Sequence, residues 1–145
     1  MKLNHLAPGK GFEKRRRWCG PAALAIITGR TLKHCHRLLA EIRGIDQRYL
    51  KGVWNSEMRR ALYRMGFDAV RTEIPFRKTL RQYVEEHQTT AAFRSVVLVN
   101  VTDHYVVAHR GKIADNHEAE PTPVGKHPAS RKLVRYAWVI RPRAR

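Results

Sequence analysis

Cys19-Gly20-Pro21-Ala22-Ala23-Leu24-Ala25-Ile26-Ile27-Thr28-Gly29 is the stretch on which the fold turns. Pro21 suits a first helical turn, where its missing N–H costs nothing. Gly29 suits the residue that closes a helix in the left-handed conformation. The run between them is apolar on every side, which predicts a central, buried helix rather than an amphipathic surface one. A cysteine stands at its mouth. The first N–H groups of a helix lack intrahelical partners and carry roughly half a unit of positive charge, which favours a thiolate there. Arg15, Arg16 and Arg17 lie just upstream and add to that field. Taken alone, Cys19 reads better as an ordinary small core residue.

Further helices follow by their periodicity. Thr31 is expected to cap a second one, with Leu32, Cys35, Leu38, Leu39 and Ile42 on its apolar stripe and Gly44 at its end. Asn55 is expected to cap a third, carrying Met58, Ala61, Leu62 and Met65 and stopped by Gly66. Residues 68–74 read as a short strand. Thr79 caps a fourth helix with Leu80, Tyr83, Val84 and His87. After Gln88 the pattern becomes β-branched, and 95–101, 104–109, 112–115 and 133–140 read as strands. Residues 116–130 are polar and carry three prolines, so they read as a loop. Residues 1–18 read as a basic irregular arm and 141–145 as a basic tail. Helices first and an antiparallel sheet second predict one α+β domain over 1–145, one layer of each.

Composition narrows the function classes. The longest apolar run, 22–27, falls far short of the roughly 18 residues of a membrane span. The first 17 residues have charge but no apolar core, so no secretory signal is expected. Two cysteines are too few for a disulfide framework, and both are expected to stay reduced in a cytoplasm. The net charge of +17 points instead to a polyanion or an acidic partner. Lys14, Arg15, Arg16 and Arg17 are candidate phosphate contacts, and Trp18 and Trp54 could stack on bases. No helix-turn-helix or RNA-recognition signature accompanies them, so the expected contact is non-specific nucleic acid, with no membrane partner. His34-Cys35-His36 looks like a metal cluster. On a helix, however, consecutive side chains point about 100° apart and cannot close on one ion. Cys35 is therefore expected in the core with the two histidines flanking it on the surface. No metal and no cofactor are expected, and nothing in the pattern fixes an oligomer.

His104 opens one of the expected strands and Asp115 ends the next. If the two strands form a hairpin turning near Arg110-Gly111, their outer ends lie side by side. A carboxylate at Asp115 would then hold the imidazole by its second nitrogen. Cysteine, histidine and aspartate together are a nucleophile, its base and the base's orienter. A half-exposed strand histidine beside a turn aspartate is the plainer alternative.

Trp18-Cys19-Gly20-Pro21-Ala22-Ala23-Leu24, His104-Tyr105-Val106-Val107 and Ile113-Ala114-Asp115-Asn116 together resemble the papain-like cysteine peptidases. The nearest branch is the bacteriocin-leader peptidases and their relatives. The resemblance covers nearly the whole chain in order and spacing. It implies a papain-like fold and a thiol hydrolase acting on a peptide or other acyl or amide substrate. By it, Cys19 is the nucleophile, His104 the general base and Asp115 the orienting acid. Two positions depart from the family. Glu13 stands six residues before the cysteine, where the family has an oxyanion-donating glutamine. A carboxylate accepts hydrogen bonds and repels a developing oxyanion. Asn116 follows Asp115 where the family has proline, and Asn116 is an alternative orienter. Glu13 favours a second class of function: an inactive papain-like protein, or a basic structural protein associated with nucleic acid, as in a phage particle. The expected location is then the virion rather than the cytoplasm.

Overall fold

The computed structural model describes residues 3, 18–74, 77–87, 90–117 and 120–144. The basic arm, with Glu13, Lys14, Arg15, Arg16 and Arg17, lies outside the described residues apart from Leu3 and Trp18. The helices are α1 (Cys19–Thr28), α2 (Leu32–Arg43), α3 (Asn55–Arg64) and α4 (Leu80–Glu86), with a further single turn, α5 (Ala91–Arg94); the first strand falls between α3 and α4, so the helices do not all precede the sheet. The strands are β1 (Phe67–Thr72), β2 (Val96–Val101), β3 (His104–His109), β4 (Lys112–Ala114), β5 (Thr122–Pro123) and β6 (Val134–Pro142). They form one antiparallel sheet in the order β1-β6-β2-β3-β4-β5. The architecture is α+β.

Helix α1 is the buried central element its composition requires, with Gly20 to Ile27 all buried. Gly29 closes it at φ 78°, donating its N–H to the Ala25 carbonyl at 2.9 Å. It packs against α2, α3 and β3. Helices α2 and α4 start on the expected threonines, whose side chains accept from His34 N–H and Gln82 N–H.

The sheet is covered on both faces, not in the single helical layer expected. Leu98, Tyr105, Val107, Trp138 and Ile140 pack with α1, α2 and α3. Their neighbours along the strands, Val97, Val99, Val106 and Val139, pack instead with Leu80, Tyr83 and Val84 of α4. Strands buried on both faces read as continuous apolar runs, and β2 and β3 have that composition.

Other boundaries also shift. Strand β1 begins at Phe67 and stops at Thr72. Strand β6 runs on through Arg141 and Pro142, which pair with Asp68 and Phe67, so part of the expected tail is sheet. The expected loop 116–130 contains β5, a 3-10 turn at Val124–Lys126, and buried Val124, His127 and Ala129. Among the described residues no helix is long and apolar enough to cross a membrane.

Candidate active site

Cys19 is the first residue of α1, with Trp18 in the capping position. Among the described residues, no side chain caps this helix start and no acidic residue stands in its first turn. The positive end of the dipole is therefore left to act on the cysteine sulfur. Gly20 is needed beside it. A Cβ at position 20 would lie 2.8 Å from Val53 Cγ2, so the 51–53 segment can approach the helix mouth only because the side chain is missing. That segment is anchored from outside the cleft. Arg43 donates Nε–H to Glu57 Oε2 and Nη2–H to the Gly52 carbonyl, both at 2.8 Å, and Glu57 Oε1 accepts the Trp54 N–H at 2.9 Å.

The β3–β4 hairpin forms as expected. Arg110 and Gly111 both have positive φ, 50° and 82°, the geometry of a tight two-residue turn that follows strand twist. Register pairs His109 with Lys112 and Val107 with Ala114. Asp115 thus emerges next to the start of β3, and His104 Nε2 lies 2.8 Å from Asp115 Oδ2. Both groups are buried. With Nε2 engaged by the carboxylate, Nδ1 is the nitrogen left to serve Cys19, which lies close enough to the ring to raise its pKa. The structure therefore brings Cys19, His104 and Asp115 together. Asn116 is buried beside them, but the imidazole's partner is Asp115.

Burial alone would strip the His104 ring of its proton. The hydrogen bond to Asp115 and the adjacent Cys19 outweigh it, and the pKa is pushed up to about 9. Burial likewise disfavours the Asp115 carboxylate. The hydrogen bond from His104 and the adjacent His127 ring overcome that and hold it well below the usual carboxylate range.

His127 was not among the residues singled out from sequence. Its Nδ1 accepts the Ala129 N–H at 3.0 Å, which places the ring proton on Nε2. That Nε2 lies 3.1 Å from Asp115 Oδ2, with its N–H off the line to the oxygen, so the contact is bent and weaker than that of His104. Asp115 Oδ1 also accepts the His117 N–H at 3.0 Å, while the His117 and His104 ring centroids are 5.0 Å apart. Asn55, expected as a cap, begins α3 one residue inside the helix, and Trp54 takes the capping position. Its Oδ1 instead accepts Asn100 Nδ2–H at 2.8 Å and the Tyr105 hydroxyl at 2.6 Å.

A cleft of about 740 Å³ opens onto Cys19 and His104, walled by 51–53, Asn100, 102–105, Arg135 and Tyr136. Cys35 is elsewhere, fully buried in the core, and burial pushes its thiol up to about 11. His36 is not a surface neighbour as expected. It is buried, its ring 4.0 Å from that of Trp18. Trp54 is 67% exposed, with the Arg43 guanidinium 4.7 Å from its ring. Among the described residues no three histidine, cysteine or acidic side chains are grouped to hold a metal ion.

The chain matches no family model and no curated protein. Functional assignment therefore rests on the chemistry of this cleft.

Proposed function

We propose that the protein is a papain-like cysteine hydrolase of the bacteriocin-leader peptidase type, acting on a peptide or other acyl or amide substrate. The observation that carries the reading is the convergence of Cys19 and His104 on one cleft, with Asp115 buried against His104 and His104 holding its proton up to about pH 9. Near neutral pH His104 therefore carries its proton beside the sulfur that is to attack.

The sulfur attacks the substrate carbonyl carbon and forms a C–S bond, and the carbonyl electron pair moves to oxygen. The Cys19 backbone N–H, at the N-terminal end of α1, supports that oxyanion. Collapse of the intermediate breaks the bond to the leaving amine, which takes the proton from His104. Water then gives a proton to His104 as its oxygen attacks the thioester, and the acid departs with regeneration of the thiolate. Asp115 keeps the imidazole turned toward sulfur throughout, and His127 positions Asp115.

A p-nitrophenyl ester tests this reading. The expected result is a burst of one p-nitrophenolate per chain and an acyl mass increment that maps to Cys19. Cys19→Ala should show neither. Steady hydrolysis that survives in Cys19→Ala, or a burst without an adduct on Cys19, overturns the assignment.

A further inference from the structure

A second groove, of about 400 Å³, lies between α3 and the edge strand β1, and no residue lines both it and the Cys19 cleft. Helix α3 buries Met58, Ala61 and Leu62 in the core and turns Arg59, Arg60, Tyr63 and Arg64 outward into this groove. Arg143, just past β6, reaches the same place. Its backbone N–H is tied to the Gly66 carbonyl at 2.8 Å, and its guanidinium lies 4.0 Å from the centre of the Tyr63 ring.

We propose that this groove binds the sugar–phosphate backbone of a single-stranded nucleic acid. Arg43, Lys78 and Arg81 elsewhere are each paired with a carboxylate. Among the described residues, none of the four groove arginines makes such a pair, so their donors face solvent. Asp68 is the one acidic residue in the lining. A guanidinium held over an aromatic ring still offers its N–H fork, which takes a phosphate by two parallel hydrogen bonds. Arg60 and Arg64, four residues apart on the helix, are neighbours on its surface and offer two further cations in a row. Tyr63 remains 55% exposed despite Arg143, leaving ring surface on which a base can stack. A lipid surface fits less well, because the apolar side of α3 is spent in the core and none remains to enter acyl chains.

The test is fluorescence anisotropy of a labelled 20-nucleotide oligothymidylate with the full chain, titrated between 50 and 200 mM salt. Arg59→Glu with Arg64→Glu is expected to weaken binding at least about tenfold and to flatten the salt dependence. Tyr63→Ala should weaken it several-fold with the salt slope kept. The control is Lys112→Glu with Lys126→Glu, the same charge change on exposed residues near the other edge of the sheet. It should cost less than about threefold. Equal losses in the two double variants would mean diffuse attraction and overturn the site. So would stronger arginine-dependent binding to duplex DNA, polyglutamate or anionic phospholipid vesicles than to the single strand. Thermal melts of each variant separate lost binding from lost folding, and Arg59→Gln with Arg64→Gln repeats the test with a smaller charge change. None of these readouts depends on Cys19.

Discussion

Cys19 and Cys35 differ in everything that governs thiol reactivity. Cys19 sits half-buried at a helix mouth beside an imidazolium, whereas Cys35 is enclosed and its thiol is held neutral by burial. Iodoacetamide at pH 6.5 should therefore modify Cys19 in native protein and leave Cys35 untouched until the chain unfolds, as read by peptide mapping. Equal labelling would contradict an activated thiolate. His127 permits a sharper test. Its Nε2–H faces Asp115 while its Nδ1 holds the Ala129 N–H. His127→Gln retains a donor for the carboxylate, and His127→Asn retains an acceptor for the turn. If His127 positions Asp115, the glutamine variant should keep most of the acylation rate and the asparagine variant should lose on the order of tenfold. The apparent pKa of the alkaline limb should also fall below about 9 in the asparagine variant. Equal loss in both, with the alkaline limb unmoved, would leave His127 a purely structural residue. The catalytic candidates were legible because helix start, hairpin and turn each have local signatures. His127 was not, because its partner is set by where a proline-rich loop returns across the sheet.

The elements were read correctly where a stop or cap acts locally, as at Gly29, Thr31 and Thr79, and misread where a distant partner decides. Asn55 looks like a cap, yet Tyr105 and Asn100 compete for its oxygen from β3 and β2. The second helical cover of the sheet was hidden for the same reason. An apolar strand such as 96–101 is buried on both faces, and nothing in its own composition says what covers the second. Gly20 fits tightly against Val53, and that fit can be broken by one methyl group. Gly20→Ala should force the 51–53 segment away from α1, against the Arg43 and Glu57 bonds that hold it. Overpacking of this kind costs about 1–3 kcal/mol, visible as a lower urea midpoint. Acylation of Cys19 should slow as well, since the displaced segment walls the cleft. An unchanged midpoint with unchanged acylation would show that Val53 moves at no cost.

Across the whole molecule, the buried His104–Asp115 pair ties stability to pH. The imidazole has its pKa raised from an ordinary 6.5 to about 9 by folding, so the folded state holds a proton that the unfolded chain gives up. That contribution is complete below about pH 6.5 and disappears as pH rises through about 9. Asp115 works in the opposite direction. Its carboxylate is held well below its unfolded value, so its contribution is present above about pH 4 and is lost in acid. Both groups contribute fully only between those limits, a window set by this pair and not by the high overall charge. The gap for His104 corresponds to about 3 kcal/mol. Urea denaturation at pH 6, 7.5 and 9 should show the parent chain losing stability of that order across the series. His104→Gln cannot take up the proton, so it should start less stable at pH 6 and show a much flatter profile. The general repulsion among 29 basic side chains acts equally on both proteins and cancels in the comparison. If parent and variant lose stability in parallel, the proton is not held by His104, and the imidazolium required for attack by Cys19 is absent with it.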